Sequence, residues 1–395
     1  MDDAEQRPGD PFAAGARPCA LSVTRIALTN FRSYARSELN VSAAPVVLAG
    51  ANGTGKTNLL EAVSLLSPGR GLRGAKLANV QRKSPAEASP DGAVPLWAVS
   101  ATVSRLNSTW EIGTGLLPVS GAAQPRRVLH LNGAAADSAD VAELLPMLWL
   151  TPAMDRLFLE GASERRRFLD RLVFALDPAH ARRVARYERA TQERLRLLKN
   201  GVRDRAWLDG LEETMAEAGV AVTAARLHVV EALNVELTAR GAHGAFPCAH
   251  LALTETGTDA AQLQTALAAS RQRDADAGRT SIGPHHADLE VRHTIKRADA
   301  RDCSTGEQKA LLISIVLANA WLQKKRHDDV APLLLLDEIA AHLDVNRRAA
   351  LFDEFLALGA QAWLTGTDTS LFAPLKARAH FFSIDAGRFT AAGAA

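Results

Sequence analysis

The sequence predicts an α/β fold that carries an antiparallel β subdomain and an inserted helical arm. Three observations lead there. An apolar strand, Pro45-Val46-Val47-Leu48-Ala49, runs into the glycine-rich loop Gly50-Ala51-Asn52-Gly53-Thr54-Gly55-Lys56-Thr57 and then into an apolar-periodic helix that begins Asn58-Leu59-Leu60-Glu61. A second apolar run, Pro332-Leu333-Leu334-Leu335-Leu336, ends in Asp337-Glu338, the form of a buried parallel strand with carboxylates at its C-terminal edge. Between the two lie short β-like pieces and then the most helical stretch of the chain, residues 177–240. The predicted division is a disordered tail over 1–19, a lobe with the glycine loop and an antiparallel β layer over 20–160, a helical arm or insert over 161–285, and the rest of the lobe over 286–395.

Residues 1–20 carry acids, prolines and glycines where a secretory signal needs a basic start and an apolar core, so they read as a floppy tail. Residues 21–28 alternate like a strand, and 37–41 supply an antiparallel partner. The connection Thr29-Asn30-Phe31-Arg32-Ser33-Tyr34 has two readings. It is a hairpin with a core aromatic, or, lying just before the glycine loop, it sets Arg32 and an aromatic against a nucleotide base or α-phosphate.

The glycine loop has the G-x-x-x-x-G-K-T spacing of a P-loop, with the right context on both sides. Its glycines let successive backbone N–H groups turn inward round a polyphosphate, Lys56 reaches the terminal phosphates, and the Thr57 hydroxyl sits on a magnesium ion. The predicted cofactors are ATP and Mg2+, with Gly50, Ala51, Asn52, Gly53, Thr54, Gly55, Lys56, Thr57, Asn58 and Arg32 as nucleotide contacts. Beyond the following helix, residues 67–83 hold Arg70, Arg73, Lys76, Arg82 and Lys83. They form a solvated loop or a phosphate-contacting one, in which case Arg70, Arg73 and Lys76 are candidate DNA contacts; no stacking aromatics are interleaved.

Residues 96–103 and 127–131, the latter followed by the turn Asn132-Gly133, predict antiparallel strands over the α/β core, with Trp97 and Trp110 as packing residues. Residues 148–152 are another strand-like run. Ser163 and Glu164 read as the cap and first-turn acid of a helix bearing Arg165-Arg166-Arg167. Those arginines diverge round the helix, so one or two pair with acids and the remainder are left for phosphates. Asn200-Gly201 breaks residues 177–240 into two segments of an antiparallel arm. The first segment carries Arg182, Arg183, Arg186, Arg189, Arg194 and Arg196 against an apolar stripe of Val184, Leu195 and Leu198; a charged, solvated face accounts for any single one of these arginines. Residues 251–269 read as polar, then helical. His285 and His286 follow a Gly283-Pro284 turn, and adjacent side chains diverge, which disfavours a metal site. Residues 289–293 alternate as a strand.

Cys303-Ser304-Thr305-Gly306-Glu307-Gln308-Lys309 precedes an apolar helix over 310–322. Ser304 and the N–H groups of a helix start make a second anion site. One chain does not easily bring two helix N-termini to opposite sides of a single γ-phosphate, so the second comes from a partner copy. That predicts an ATP-bridged dimer, with Ser304, Gly306 and Gln308 acting in trans. In the acid-ended strand, Asp337 holds magnesium together with Thr57, while Glu338 polarises the attacking water and Lys56 completes the catalytic pair.

Composition sets the bounds. At 395 residues the chain makes two or three compact units. A net charge of +2 is too small to mark a nucleic-acid binder, so any such surface is a local patch. Cys19, Cys248 and Cys303 are too scattered for a disulfide framework or a zinc site and fit a reducing cytoplasm. No apolar run reaches the length that spans a bilayer, so no membrane partner is expected.

The P-loop with its trailing Asn58, the segment Ser304-Thr305-Gly306-Glu307-Gln308, and Asp337-Glu338 followed by Leu343-Asp344 resemble a P-loop ABC-type ATPase head of the class shared by chromosome-organising and double-strand-break-repair ATPases. Within that class the chain resembles the RecF family. The likeness rests on Leu28-Thr29-Asn30-Phe31-Arg32-Ser33-Tyr34, on residues 164–170 with Arg-Arg-Arg-Phe-Leu-Asp, on Arg273-Asp274 with Gly278, Thr280 and Gly283-Pro284-His285, and on the head motifs in the right order over nearly the whole chain. The helical insert is too short to be the coiled coil of larger relatives. The resemblance implies an ATP-dependent homodimer that binds single-stranded and duplex DNA, prefers their junctions, and works with RecR and RecO to help RecA load at gaps, with weak DNA-stimulated hydrolysis and a part in the SOS response. Three departures from the family pattern stand out: His286 in place of an arginine, Thr305-Gly306-Glu307 in the middle of the signature, and glycines 69–74 in the loop. No histidine marks the switch position near Thr365-Gly366-Thr367-Asp368, where Thr367 or Asp368 is a substitute.

Two rivals remain. A transporter ATPase subunit needs a short docking insert between P-loop and signature, and this chain has a long helical one. An ATP-gated DNA-binding clamp with incidental hydrolysis shares every motif, because Glu338 gives capacity without a rate.

Overall fold

The structure, a computed structural model, describes residues 18–83, 97–117, 126–201, 204–241, 245–254, 259–385 and 387–391; residues 1–17 of the expected tail lie outside them. The chain forms two compact units, Met1–Pro152 with Gln323–Ala395, and Ala153–Leu322. Residues 286–322, grouped by the sequence division with the second part of the lobe, cluster with the helical unit.

In chain order, β1 (Leu21–Phe31), β2 (Tyr34–Asn40) and β3 (Val46–Ala49) lead into α1 (Lys56–Ser64). Next come β4 (Ala98–Arg105), β5 (Ser108–Leu117), β6 (Arg126–Leu131), β7 (Ala134–Ala135), α2 (Ser138–Leu144) and β8 (Met147–Leu150). The second unit holds α3 (Ala162–Leu176), α4 (His180–Lys199), α5 (Arg205–Gly241), β9 (Ala249–Leu253), α6 (Ala260–Ala277), β10 (Leu289–His293), β11 (Ala298–Asp299) and most of α7 (Thr305–Arg326). The chain closes with β12 (Leu333–Leu336), α8 (Val345–Leu358), β13 (Ala362–Gly366), β14 (His380–Asp385) and β15 (Arg388–Ala391).

The first unit contains two sheets. One is antiparallel in the order β2-β1-β4-β5-β6-β7. The other has the order β15-β14-β3-β13-β12-β8, with every neighbour parallel except β15. Strands β3, β12 and β13 are buried along their whole length, which is why they read as unbroken apolar runs and not as alternation. Gln361, fully buried, ties the sheets together: its side-chain oxygen accepts from Val23 N at 2.9 Å and Trp363 Nε1 at 3.0 Å, and its amide donates to the carbonyls of Val23 and Ser42. The hairpin between β1 and β2 turns at Arg32-Ser33, with Phe31 opposite Tyr34 and Arg32 in the left-handed region at φ 50. Both aromatics are buried, so the core-aromatic reading of this connection holds.

In the second unit α4 and α5 form an antiparallel pair, since Arg186 meets Glu217 and Arg194 meets Glu212. Arg194, Glu212 and Asp274 have no exposed side-chain surface. Arg194 donates to Glu212 at 2.9 Å, Asp274 at 2.7 Å, the Leu267 carbonyl at 2.8 Å and Ser270, which joins α4, α5 and α6. Removing one member leaves a buried charge without its partner, at a cost of about 3–5 kcal/mol.

Four expectations change. Ser163 does not cap α3: Gly161, extended at φ −70 and ψ 163, is the N-cap, and Ser163 lies in the first turn. Residues 249–253 are a strand, β9, because Leu251 pairs opposite Val291 of β10. The apolar helix after the signature begins at Thr305, since Gln308 N already bonds to Ser304 O at 2.8 Å. Finally, α5, at 37 residues, is long and apolar enough to cross a membrane by length and composition, against the expectation of no such run. One face of it packs inside the helical unit, where Met215, Ala216 and Ala218 meet Tyr187, Leu263 and Leu267, and it also buries Glu212, Arg226 and Glu236, while Trp207 and Val235 are exposed.

Candidate functional site

The P-loop joins the C-terminal end of β3 to α1. Gly50, Gly53 and Gly55 have φ of 151, 85 and 113. A Cβ at Gly50 would meet the Ile384 carbonyl at 2.8 Å, and one at Gly55 would meet Ser33 Oγ and Tyr34 Oη, each at 2.9 Å. Both positions thus need glycine for backbone conformation and for space. Tyr34 Oη donates to the Gly55 carbonyl at 2.9 Å, which fixes the start of α1 against the hairpin. Ala51, Asn52 and Gly53 are exposed, so the loop presents its backbone outward. Lys56 is 4% exposed and its Nζ donates back to the carbonyls of Gly50 at 2.7 Å and Ala51 at 2.8 Å. Burial holds its ammonium below the usual lysine range, against the opposing pull of Glu338 and Asp337. An anion arriving in the loop would relieve that penalty.

Strands β3, β13 and β12 are adjacent and parallel, so their C-terminal ends line one edge, where open α/β sheets bind ligands. There Thr57 Oγ1 donates to Asp337 Oδ1 at 2.9 Å, joining two motifs that lie 280 residues apart in the chain. Thr365, at the end of β13, supplies a third group. Its hydroxyl donates to the same Asp337 oxygen at 2.8 Å and accepts the Glu338 N–H at 2.8 Å. Glu338 sits in the left-handed region at φ 51 and ψ 20. Such a backbone costs of order 1–3 kcal/mol and persists where its surroundings over-determine it; Thr365 is one of those surroundings. The hydroxyl of Thr57 and the carboxylate of Asp337 are a hard-oxygen set of the kind Mg2+ accepts. Thr365 was missed as a site residue because a threonine ending a buried strand carries no spacing signal. Of the two substitutes considered for the switch position, Asp368 accepts from Ser370 N as a local cap and Thr367 is exposed.

Arg32 forms a fork with Glu61, at 2.9 and 2.7 Å, and donates to the Asn79 carbonyl. Glu61 has no exposed side-chain surface and also lies 3.6 Å from Arg73, whose guanidinium donates to Asn58 Oδ1 at 3.0 Å. Asn58 in turn donates to Ser33 Oγ. Hairpin tip, α1 and basic loop are therefore one braced unit. Arg127 holds the far side of that loop through the Leu65, Ser67 and Gly69 carbonyls, and burial pushes its guanidinium down to about 10. The three candidate DNA contacts thus differ: Arg73 is committed to the brace, while Arg70 and Lys76 are exposed and make no ion pair among the described residues.

In the helical unit, Ser304 and Gly306 are exposed at the start of α7. Gln308 is buried, and its amide donates to the carbonyls of Arg301 and Cys303, which holds the approach to the helix. The arginine triplet is spent inside the unit: Arg165 forks onto Asp288, Arg166 donates to the Ala287 carbonyl, and Arg167 pairs with Glu164. Arg226 clamps Asp170 and the Pro284 carbonyl. Tyr187 Oη and His285 Nδ1 lie 2.6 Å apart, while His285 and His286 each point Nε2 at the Thr280 carbonyl. The segment 280–288 is thereby a fastened structural loop. Of the arm arginines, Arg194 is buried and Arg183, Arg186 and Arg196 are ion-paired; Arg182 and Arg189 are exposed and unpaired among the described residues.

Sheet order, P-loop and acid-ended inner strand define a P-loop ABC-type ATPase head. The RecF/RecN/SMC N terminal domain family matches residues 22–373. The chain is 47% identical over 386 residues to the DNA replication and repair protein RecF of Caulobacter sp. (strain K31), covering 92% of this chain and 96% of that one. It is 48% identical over 381 residues to the protein of the same name from Agrobacterium fabrum, covering 94% and 99%. Among solved structures, the recombination mediator protein RecF-ATPrS in the RecFOR pathway superposes with a TM-score of 0.80 at 22% identity, covering 95% of this chain and 99% of that one. An Smc head domain with an extended coiled coil, bound to the C-terminal domain of ScpA and derived from Pyrococcus furiosus, superposes with a TM-score of 0.52 at 16% identity over 94% and 96%. The chain belongs to the RecF family.

Proposed function

We propose that this chain is a cytoplasmic DNA replication and repair protein that uses ATP to join two copies of itself on DNA. The observation that carries the reading is the Thr57–Asp337 contact at 2.9 Å, which brings the P-loop and the acidic strand end to one point. ATP would lie along the backbone of residues 50–57, with Lys56 leaving the Gly50 and Ala51 carbonyls for the terminal phosphates. Magnesium, held by Thr57 and Asp337, would draw charge from the phosphates. Glu338, fixed through its backbone by Thr365, would orient the attacking water. Ser304 and Gly306 of a second copy would close the site over the γ-phosphate, so that ATP is the joint of the dimer.

The names of its relatives, a DNA replication and repair protein and a recombination mediator of the RecFOR pathway, support DNA as the substrate surface and RecO and RecR as partners; single-stranded and duplex DNA as the forms bound, RecA loading at gaps as the outcome and a part in the SOS response are our extension of that reading. Arg70 and Lys76 are the DNA contacts we favour in the basic loop, because their charges are uncommitted. ATPase turnover measured with no DNA, single-stranded DNA, duplex and gapped duplex tests the reading. Stimulation greatest on gapped duplex is expected. Turnover that ignores DNA, with DNA affinity still dependent on ATP, would replace the gated enzyme with a clamp whose hydrolysis is incidental.

A further inference from the structure

The signature of this chain carries a carboxylate, Glu307, in the first turn of α7. In the proposed joint that turn receives a γ-phosphate, and two negative groups at one helix start repel each other. The structure holds a counter-charge. Lys296, in the turn between β10 and β11, ion-pairs with Glu307 Oε1, while Glu307 Oε2 accepts from Ser304 N at 3.1 Å and from the Ser304 hydroxyl at 3.0 Å. One carboxylate thus bridges a lysine from a neighbouring turn and the serine of the signature. The arrangement holds Glu307 at about 2, with Lys296 the first cause and Ser304 next. Lys296 itself is about half exposed, so it stays accessible from solvent at the lip of the signature.

We propose that Lys296 is a positioning residue of the nucleotide joint: it neutralises Glu307 and keeps its carboxylate turned from the incoming phosphate, freeing the Ser304 hydroxyl to be handed over. This rests on the reading of Ser304 as a γ-phosphate contact in trans. A serine hydroxyl has one proton to give. With Lys296 present, Glu307 retains a full partner when that proton goes to phosphate. Without it, Glu307 competes for the hydroxyl and confronts the phosphate with an unbalanced charge. Both effects weaken the dimer and leave the P-loop of each monomer untouched.

The test is a double-mutant cycle on ATPγS-dependent dimerisation of the full chain, read by sedimentation at low and high salt. Lys296→Ala is expected to weaken dimerisation about tenfold at low salt and less at high salt, with ATPγS affinity of the monomer unchanged and Lys296→Arg restoring the dimer. In a Glu307→Gln background, Lys296→Ala is expected to have no effect. If Lys296→Ala dimerises like the parent chain, or if its loss persists undiminished in the Glu307→Gln background, Lys296 does not act through Glu307 and the proposal falls. A parent chain that stays monomeric with ATPγS overturns the joint itself, and the assignment of Lys296 with it.

Discussion

Thr365 does two jobs with one hydroxyl, donating to Asp337 and accepting from Glu338 N. Thr365→Val keeps the shape and removes both bonds, leaving the half-buried Glu338 N–H unpaired at a cost of about 1 kcal/mol or more. If that cost falls on the geometry of Glu338, the expected result is a fall of about 10–100-fold in single-turnover ATP hydrolysis, ATP affinity close to that of the parent, and recovery with Thr365→Ser. Equal hydrolysis by parent and Thr365→Val would mean that Glu338 keeps its place without the threonine. Lys56→Ala differs in kind: it removes the charge proposed to meet the phosphates, and isothermal titration should detect no ATP binding. Lys56, Thr57, Asp337 and Glu338 were legible in the sequence because their chemistry demands fixed residue types at fixed spacing. Thr365 was not, since its role comes from strand order, which places β13 between β3 and β12.

At the scale of elements, the basic loop and the helical unit make separate predictions. Lys76→Ala and Arg70→Ala should each reduce the salt slope of DNA binding by about one unit, across all sequences. Arg73→Ala should also disturb ATP binding, because Arg73 shares Glu61 with Arg32; filter binding with and without ATP separates the cases. In the helical unit, burial raises Asp170, Asp274 and Asp288, but hydrogen bonds outweigh it: from His180 and Arg226 to Asp170, from Ser281, Arg194 and Ser270 to Asp274, and from Arg165 to Asp288. All three are held below the usual aspartate range. A depressed carboxylate contributes stability that is fully present above the unfolded value of about 3.9 and is lost as pH falls through the folded value. The urea midpoint should therefore drop as pH falls below about 4, and Arg194→Met should lower stability by about 3–5 kcal/mol at neutral pH. The arm itself was readable from Asn200-Gly201, but its packing face was not: Val184, Leu195 and Leu198 are only half-buried, and α4 buries Tyr187, Ala190, Arg194 and Leu197 instead. The interior fate of its arginines was not: residues 165–167 and Arg194 look alike as text, and only the position of Asp288, Asp274 and Glu212 decides which are buried partners.

At the scale of the whole molecule, order of motifs and length identify the family, while the joint between copies is inferred from two sites on separate compact units. The P-loop and Asp337 belong to one unit, the signature serine to the other. The proposed ATP-bridged dimer would use one of each from each copy, so that nucleotide binding would be an assembly step and hydrolysis its end. Residues 286–322, with β10, β11 and most of α7, cluster with the helical unit. Local pattern specifies those elements but says nothing about which neighbours they pack on. The most direct measurement is the light-scattering mass of the Glu338→Gln chain with and without ATP. A doubling of mass on adding ATP, abolished by Lys56→Ala in the same chain, is the predicted result; a mass of about 42 kDa in both conditions would contradict the dimer joint.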